Sequence, residues 1–528
     1  MSPDQPTEET SQAMFAALAA IVGDDGLRYG NDANAWLAHD VFFWDNVKTP
    51  ACIVRPTGAP QIAELLGVAR QFNRPVYSRG GGMSYSNAYG PTEAGSILFD
   101  LSAMNAVREI DPVSRYVVVD SGCTWKQVVD AVSPHGMVVD FPAPLSGSHS
   151  TVGGALSQNV PGGMHGVLGV EVVLADGSIV RTGSWSLEQD PRAFCRDYGP
   201  DLTGLFLGDS GIFGIKTGVA LHLKGKLDGA AYGSFAYETY EDMAATMMEL
   251  APFDFITRRT GFDPYETRNI AKVGLGDAIK TVLQVAAQEK NAVTGFKEAA
   301  RMAIEGRNFL EGVKWSFHIK VEGASDRAAQ DGLEIARRIC VQRGRELPPI
   351  LPRAREAVGF AIRKFLGKDG ERWVTTSALW PIARAVEIAT AVQGFFAQRQ
   401  AEMDRLGIAH SYITNFGHRY FLVEPCLYWR DELSPLHLRN LAPDEAARFA
   451  KFEANLETRA AVIRIRHELR DFYRELGSIH VQIGEFYRFQ DSLLPATRDL
   501  LKRLKVTLDP EFRLNPNKLD GIGTRQSP

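Results

Sequence analysis

The sequence lacks the features that mark several special classes of protein. Its five cysteines among 528 residues are scattered and never spaced as CxxC, which argues against a zinc knuckle or a disulfide framework and favours a reducing compartment. No run of about 20 apolar residues is present to span a bilayer. Residues 1–11 are acidic and lack the basic-then-apolar order of a secretory signal. We therefore expect a cytoplasmic protein that does not enter a membrane.

Basic charge is not in excess either. Lys and Arg number 58 against 63 Asp and Glu, so the net charge of −5 creates no general field that would attract phosphate backbones. We expect no nucleic-acid partner. The composition, 45% hydrophobic and 23% charged, is that of a globular protein, and the length is enough for more than one core. We expect two domains.

Three common ligand motifs are missing. The sequence contains neither a GxGxxG dinucleotide fingerprint with its following acid nor a GxxxxGK[ST] phosphate loop. His467-Glu468 lies in a predicted helix without a second histidine four residues later, so the HExxH zinc pattern is absent. The sequence predicts no metal site, and any nucleotide must be held in another way.

Hydrophobic periodicity indicates an α+β chain. Residues 59–72 predict a helix, and residues 169–183 predict a hairpin because Asp176-Gly177 stands between two alternating runs. Further strands are predicted at 52–56, 75–78, 96–101, 115–122, 214–223, 232–240, 313–323 and 478–489, and further helices at 387–407, 446–476 and 496–504. After about Lys224 the elements become longer and more charged, which indicates a domain boundary.

Glycine is concentrated in three segments of the first domain. They cover residues 79–84, directly after a predicted strand, then 146–155 and 162–166. Small residues let backbone N–H groups approach a phosphate closely, although adjacent glycines also serve ordinary tight turns. One such segment is weak evidence for a ligand site, but three along the same domain favour a bound ligand.

These segments, with the stretches around them, resemble the flavoprotein family typified by vanillyl-alcohol oxidase and p-cresol methylhydroxylase (PCMH). The similar stretches follow the family's order and spacing at 55–90, 99–107, 117–132, 150–163, 169–183 and 201–221. The resemblance implies an α+β fold with a PCMH-type FAD-binding domain in two parts. A cap domain for the substrate, built on an antiparallel sheet, would be inserted between them. We expect the first part at 1–224, the cap at 225–477 and the returning segment at 478–528.

The resemblance implies FAD as the cofactor. The main chain of 80–84 would cradle its pyrophosphate, residues 152–154 would pass close to the flavin, and residues 212–215 would complete the pocket. The tail 515–519 resembles the family's NPGK-like ending, with Asn517 in place of the usual glycine. The cofactor-binding residues implied are Arg79, Gly80, Gly81, Gly82, Met83, Ser84, His149, Ser150, Val152, Gly153, Gly154, Gly163, His165, Gly166, Ile212, Ile215, Asn515 and Lys518.

Departures from the family pattern bear on covalent attachment of the flavin. Met83 stands where relatives with a histidyl link have histidine, and a thioether cannot make that bond. His149 stands where relatives with two links have cysteine, and it is equally well explained as a hydrogen-bonded structural residue. His418, in the predicted cap, is near a third attachment point without aligning cleanly. We expect non-covalent FAD.

The resemblance also implies catalytic residues. Tyr85, Tyr487 and Arg488 match positions that hold a phenolate in the phenol-oxidising members, where a guanidinium would stabilise the anion while hydride leaves. Strand alternation in 478–489 places His480, Gln482 and Arg488 on one face, so His480 is a further acid/base candidate. Packing of the aromatic rings and a solvated strand face remain the alternatives.

We expect an FAD-dependent oxidoreductase that passes a hydride from a small aromatic alcohol or a 4-alkylphenol to the flavin. Residues 142–146 lack the aspartate that acts in several phenol oxidases. A D-2-hydroxy acid, gripped by Arg488 and Arg419, therefore remains an alternative substrate, and a non-catalytic flavin-binding module is a third reading. The reduced flavin would pass electrons to O₂ or to an electron-transfer protein, and the resemblance implies a homodimer.

Overall fold

The computed structural model describes residues 8–29, 35–42, 47–140, 146–160, 164–271, 310–358, 360, 366–367 and 369–522. The chain divides into two units. The first unit comprises Met1–Lys226, Ser434–Leu441 and Val481–Pro528, and the second comprises Leu227–Leu433 and Ala442–His480. No helix in these described ranges has both the length and the apolar content needed to cross a membrane.

The helices and strands are numbered here along the chain, within the described residues. The helices are α1 (Glu8–Val22), α2 (Ala59–Gln71), α3 (Trp125–Val132), α4 (Val152–Ser157), α5 (Leu202–Leu205), α6 (Tyr240–Leu250), α7 (Pro264–Ala271), α8 (Asp326–Cys340), α9 (Ile350–Val358), α10 (Ala385–Ala397), α11 (Gln400–Leu406), α12 (Pro435–Arg439), α13 (Pro443–Phe449), α14 (Leu456–Glu475) and α15 (Pro495–Leu508). The strands are β1 (Leu27–Tyr29), β2 (Cys52–Val54), β3 (Val76–Arg79), β4 (Ile97–Asp100), β5 (Val107–Asp111), β6 (Tyr116–Asp120), β7 (Met137–Val139), β8 (Val167–Val173), β9 (Ile179–Arg181), β10 (Ile215–Gly225), β11 (Gly229–Tyr237), β12 (Ile256–Phe262), β13 (Trp315–Gly323), β14 (Arg345–Leu347), β15 (Arg372–Thr375), β16 (Ala378–Pro381), β17 (Ala409–Phe416), β18 (Tyr420–Trp429) and β19 (Ile479–His480).

The first unit begins with a small sheet in the order β1-β2-β4-β3, in which β2, β4 and β3 run parallel. Helix α2 connects two of these strands, as βαβ units require. It starts after Gly58 with a proline in its first turn, and its apolar residues recur at helical spacing and are buried: Ile62, Leu65, Leu66 and Ala69. The helix predicted at 59–72 is therefore confirmed.

A second sheet of the first unit is antiparallel, in the order β5-β6-β10-β8-β9, with β7 paired to the end of β10. Strands β8 and β9 form the predicted hairpin, in which Val172 pairs with Val180. Gly177 adopts φ +91°, a conformation that favours glycine and allows the tight connection.

The C-terminal segment completes the first unit. Leu514 forms a parallel bridge with Val76, and the amide of Asn515 donates to the Val76 carbonyl at 2.8 Å. The buried Lys505 ammonium on α15 donates to the Leu514 and Ile212 carbonyls at 3.0 and 2.7 Å. Residues 513–515 thereby extend the edge of the first sheet beyond β3.

The second unit is built on one large antiparallel sheet in the order β14-β11-β13-β12-β17-β18-β16-β19, with β15 paired to β18. One face of β13 is apolar and carries Trp315, Phe317, Ile319 and Val321, all buried. The apolar face packs against helices α6 and α8, so the core of this unit lies between helices and sheet.

Three predictions about long elements are wrong. The helix predicted at 387–407 is two helices, α10 and α11, separated by residues 398–399. The helix predicted at 446–476 is two helices, α13 and α14, separated by residues 450–455. The strand predicted at 478–489 ends at His480, because Gln482 takes a left-handed backbone with φ +55° and Gly484 lies against the Ser86 carbonyl. Gln482 and Gly484 both belong to the first unit, whereas His480 belongs to the second.

Candidate functional site

The first glycine-rich segment is a loop that directly follows β3. The amides of residues 80–84 donate to no acceptor in the part of the chain that the structure describes. Gly82 adopts φ +75°, so the loop bends in a way that favours glycine. Five consecutive N–H groups without acceptors can form an anion-binding concavity, because each must find a partner and an anionic oxygen accepts several.

The second glycine-rich segment packs against the first, backbone to backbone. A Cβ on Gly81 would collide with the His149 carbonyl group, and a Cβ on Gly80 would collide with the Thr151 hydroxyl. Gly81 and His149 therefore meet where no side chain fits between them. Ser150 is buried in the same contact. This close approach explains the glycines and leaves a cradle made largely of main chain.

Helix α4 begins at the end of that second segment. Thr151 caps it by accepting from the Gly154 amide at 3.3 Å. The amides of Val152 and Gly153 donate to the Cys123 and Ser121 carbonyls, both at 2.8 Å. A Cβ on Gly153 would lie 2.7 Å from the Ser121 Cβ. The start of α4 is thus fixed against residues 121–123.

The third glycine-rich segment is only partly described, and Gly163 lies outside the described residues. His165 is exposed, the Met164 carbonyl accepts from Arg196 at 2.5 Å, and Gly166 packs against the Asp140 carbonyl. Among the described residues, no hydrogen bond ties this segment to the other two. Its expected contact with the cofactor stays a prediction.

Arg79 anchors the first loop through its side chain. The guanidinium is buried, donates to the Gly80 carbonyl at 2.9 Å and pairs with Asp100 at 3.5 Å. It also lies over the ring of Tyr89, 5.7 Å from the centroid. These contacts of the Arg79 side chain fix the position of the loop.

The C-terminal tail connects the first loop with two other segments. Asn515 accepts from the Ser78 amide at 3.0 Å and donates to the Gly211 carbonyl at 2.9 Å. Lys518 is fully buried and donates to the carbonyls of Asn87 and Gly90, both at 2.7 Å. Both predicted tail residues therefore bind main-chain groups beside the glycine-rich loop.

Ile212 and Ile215 are both buried. The Ile212 carbonyl accepts from the Lys505 ammonium at 2.7 Å, and Ile215 belongs to the apolar core around α2. Next to them, the buried Lys216 pairs with Asp209 at 2.5 Å. The backbone of 209–215 is held rigidly from both ends.

Tyr85 and Gln482 meet in the first unit. The Gln482 amide nitrogen donates to the Tyr85 hydroxyl at 3.0 Å, and the Gln482 Oε1 is buried without a donor among the described residues. The main chain on both sides is tied together, because the amides of Glu485 and Phe486 both donate to the Ser86 carbonyl, at 2.8 and 3.1 Å. Residues 397 apart in sequence thus form one polar pair.

Tyr487 and Arg488 differ in their surroundings. Tyr487 is buried and packs edge-on against Phe486 with ring centroids 4.9 Å apart. Arg488 is exposed and pairs with Asp491 at 3.6 Å, with each side chain about half accessible at 47% and 46%. The shared strand face predicted for His480, Gln482 and Arg488 is wrong, because the strand ends at His480.

His480 lies in the second unit, on β19. It is buried, and burial lowers the pKa of its imidazole to about 4, so the ring is neutral at pH 7. His418 is half exposed, pairs with Asp254 at 3.1 Å and contacts the Ala251 carbonyl at 2.7 Å. The contacts of His418 lie within its own unit.

Sequence reasoning missed Asp40, which holds residues 84–90 around Tyr85, here called the tyrosine segment. This buried carboxylate accepts from the amides of Phe42 and Asn87 at 2.8 and 2.7 Å, and from the Ser84 hydroxyl at 3.4 Å. Its partners lie up to 47 residues away, so no local pattern marks it. The signal that could have found it is an isolated acid between apolar residues, Leu37, Ala38 and Val41.

Comparison with known proteins identifies this region. A family model described as an FAD binding domain matches residues 50–183. The chain is similar to glycolate oxidase subunit GlcD of Bacillus subtilis, with 30% identity over 249 residues that cover 45% of this chain and 51% of that protein. The chain spans about half the length of the curated relatives it matches.

Solved structures share the fold. p-Cresol methylhydroxylase with substrate bound has a TM-score of 0.70 and 19% identity, with 98% of each chain covered. An isoeugenol complex of 4-ethylphenol oxidase from Gulosibacter chungangensis has the same score and identity, with both chains covered entirely, at 100%. The predicted α+β class with PCMH-type architecture is confirmed. The chain therefore contains a PCMH-type FAD-binding domain, uses FAD as its cofactor and is a relative of the FAD-linked oxidoreductases.

Proposed function

We propose that the protein is an FAD-dependent oxidoreductase that takes a hydride from a small aromatic alcohol or a 4-alkylphenol. FAD, when bound, supplies the hydride acceptor. The free amides of 80–84 would hold the diphosphate without a lysine, and the start of α4 would lie beside the flavin. Met83 cannot form a histidyl link, so we propose non-covalent binding, which acid precipitation tests by releasing the colour.

The contact between Gln482 and Tyr85 carries the proposal for the substrate. The Tyr85 oxygen accepts the amide proton at 3.0 Å, so the hydroxyl directs its own hydrogen elsewhere. We propose that it donates to the oxygen of a phenol or alcohol. Gln482 keeps a left-handed backbone, which costs about 1–3 kcal/mol for a non-glycine residue and is typical of functional sites.

Tyr487 and Arg488 would complete the phenol site. The pair between Arg488 and Asp491 is long and half exposed, and such pairs contribute little, so a phenolate could replace Asp491 as the partner. His480 is neutral and buried in the second unit, and we propose a structural role for it.

Anaerobic reduction of the flavin tests the proposal. We expect 4-alkylphenols or aromatic alcohols to bleach the flavin of the wild-type protein. Tyr85→Phe should slow this reduction at least about tenfold, the usual effect of losing a hydrogen bond to a charged group. Tyr198→Phe, a change at an exposed tyrosine, is the control. Reduction of the Tyr85→Phe flavin at the wild-type rate would refute the role of Tyr85.

A D-2-hydroxy acid is the second candidate substrate. It is supported by the likeness to the glycolate oxidase subunit, which is 30% identical over 249 residues, while the 4-cresol dehydrogenase flavoprotein subunit of Pseudomonas putida is 29% identical over 199 residues. The same screen should include glycolate and D-lactate. Faster flavin reduction by these acids than by every phenol would replace the first candidate with the second. The acceptor, O₂ or an electron-transfer protein, and a homodimer stay proposals.

A further inference from the structure

Residues 482–484 of the first unit form a second stretch of main chain with unused donors. Their three backbone N–H groups donate to no acceptor among the residues that the structure describes. Ile483 and Gly484 are nevertheless buried, and Ile483 is only 7% exposed. Because a buried amide requires a hydrogen-bond partner, these N–H groups indicate a ligand that brings acceptor atoms.

The carbonyl groups of Ile483 and Gly484, by contrast, are already used. The Ile483 carbonyl accepts from the Ser210 hydroxyl at 3.0 Å. The Gly484 carbonyl accepts from the Leu519 amide at 3.1 Å. These bonds fix the segment through its acceptors and leave its donors available.

The side chain of Gln482 adds an acceptor to this set of donors. Its Nε2 donates to the Tyr85 hydroxyl at 3.0 Å. Its Oε1 is buried and receives no hydrogen bond in the described part of the chain. A buried acceptor without a donor is unfavourable. A ligand that satisfies this segment must therefore bring a donor as well as acceptors.

The segment lies beside the main chain that we expect to hold FAD. Tyr85, the partner of Gln482, directly follows the loop 80–84, whose unused amides suit a diphosphate. A diphosphate oxygen only accepts hydrogen bonds, so it cannot satisfy the Gln482 Oε1. The flavin ring system has an imide edge in which the N3–H donor stands between two carbonyl acceptors, and this edge matches the unused groups of 482–484.

We propose that residues 482–484 bind the imide edge of the flavin. The Gln482 Oε1 accepts from the N3–H group, and the backbone amides donate to the adjoining carbonyl oxygens. The ribityl chain is the other part of the flavin that both donates and accepts, and the experiment below separates the two. The inference depends on FAD binding and not on which substrate is oxidised.

N3-methyl-FAD is the probe, because its methyl group removes the N3 proton and leaves the ribityl chain and the diphosphate unchanged. The protein is stripped of flavin and reconstituted with FAD or with N3-methyl-FAD, and the dissociation constants are measured by flavin fluorescence. We expect the wild type to bind N3-methyl-FAD at least about tenfold more weakly than FAD, because the buried Oε1 loses its donor. Equal affinity for the two flavins would refute the imide site and favour the ribityl hydroxyls.

Three variants test the role of the side chain. Gln482→Met keeps the length of the side chain and removes both polar atoms, so its preference for FAD should fall below about twofold. Gln482→Glu keeps an acceptor oxygen and should retain the preference. Tyr85→Phe is the matched control, since it removes the other partner of Gln482 and leaves the Oε1 in place. A wild-type preference in Gln482→Met would refute the proposal, because it would assign the effect to the bulk of the methyl group.

Nuclear magnetic resonance of the bound flavin gives a readout that does not depend on affinity. In FAD labelled with nitrogen-15 at N3, the attached proton should give a signal in the wild type and in Tyr85→Phe, because a buried hydrogen bond slows its exchange with water. The signal should disappear in Gln482→Met. If that variant retains no flavin, the wild type and Gln482→Glu decide, and a missing N3 proton signal in the wild type would refute the site.

Two outcomes distinguish this inference from the proposed function. If 4-ethylphenol reduces the flavin while the wild type binds FAD and N3-methyl-FAD equally, the imide site is refuted and the oxidoreductase stands. If the wild type prefers FAD through Gln482 while neither phenols nor D-lactate reduce the flavin, the imide site stands and the proposed function is refuted.

Discussion

Lys518 shows how a single buried charge fixes the position of a loop. Its ammonium is fully buried, and burial lowers its pKa while Glu485 opposes that effect. Besides two carbonyls, it contacts Glu485 at 3.0 Å. The same carboxylate accepts from the Asn87 side chain at 2.5 Å. One side chain therefore holds the tyrosine segment to the segment that follows β19.

Lys518→Met should destabilise the first unit by about 2–3 kcal/mol, because it leaves two buried carbonyls and a half-exposed carboxylate without their cation. Chemical denaturation followed by flavin fluorescence measures this change. Lys502→Met, at an exposed position of α15, should leave the midpoint unchanged. Equal midpoints for the two variants would show that Lys518 is not a structural link.

At the scale of elements, the contact between the two glycine-rich loops depends on two positions without side chains. Gly81 faces the His149 carbonyl, and a Cβ there would also lie 2.9 Å from the carbonyl carbon. By contrast, Gly67 lies inside α2 with nothing within 4 Å of its would-be Cβ. The same chemical change therefore has opposite physical consequences at the two glycines.

Gly81→Ala should separate the loops and weaken FAD binding at least about tenfold, with a stability loss of about 1–3 kcal/mol. Gly67→Ala should stabilise by about 0.5–1 kcal/mol, because alanine loses less backbone freedom in a helix. Flavin content after dialysis and thermal melting measure both effects. Full flavin retention in Gly81→Ala would contradict the close approach as described.

Asp263, directly before α7, is a buried carboxyl group with a raised pKa. Asp263 is only 3% exposed and accepts from the Glu266 amide at 3.0 Å. Burial raises the pKa of Asp263 to about 7, and burial likewise raises the pKa of Glu424 on β18 to about 7. Between about pH 4 and pH 7 these two carboxyl groups therefore hold protons in the folded protein that they have lost in the unfolded chain.

These two groups should lower the free energy of unfolding as the pH rises from about 4 to about 7, whereas His318, His410 and His480, whose pKa values are lowered by burial, should raise it. Asp263→Asn keeps the hydrogen bond to the helix and removes the ionisation of Asp263, so the free energy of unfolding of this variant relative to the wild type should rise between about pH 4 and pH 7. Denaturant midpoints at several pH values measure it. Asp331→Asn, at an exposed position of α8, should leave the slope as in the wild type. An unchanged slope in Asp263→Asn would assign the effect to other groups.

The elements that could be predicted from sequence depend on local signals. Helix α2 and the hairpin β8–β9 have a first-turn proline, helical apolar spacing and an Asp-Gly turn within a few residues. The strand predicted beyond His480 failed because tertiary contacts with Ser86 outweigh alternation. Asp40 could not be recognised either, since its partner Asn87 is 47 residues away.

At the scale of the whole molecule, residues 513–519 connect separate segments of the first unit. They bridge to β3, bind the Gly211 carbonyl through Asn515, and bind the tyrosine segment through Lys518. The Leu514 carbonyl also accepts from Lys505 on α15, which in turn holds the Ile212 carbonyl. The buried Arg513 also donates to the Ala69 and Arg74 carbonyls at 3.0 and 2.9 Å. The tail therefore contacts β3, which leads into the first glycine-rich loop, as well as the tyrosine segment and Gly211.

A chain ended after Leu508 should therefore lose bound flavin and expose the first unit to protease, whereas a chain ended after Ile522 should keep both properties. The flavin-to-protein absorbance ratio and limited trypsin digestion measure the outcome. Cleavage confined to the second unit of the shorter chain would contradict the role given to the tail.

The bridge between Val76 and Leu514 cannot form until residue 514 has been synthesised. Its hydrogen-bonding partners, such as Ser78 and Asn515, lie 437 residues apart. A ribosome that adds about 5–20 residues per second needs roughly 20–90 seconds to make the intervening chain. The edge beside β3 stays unpaired for that time, so the first unit completes this sheet only after residues 513–515 have been made.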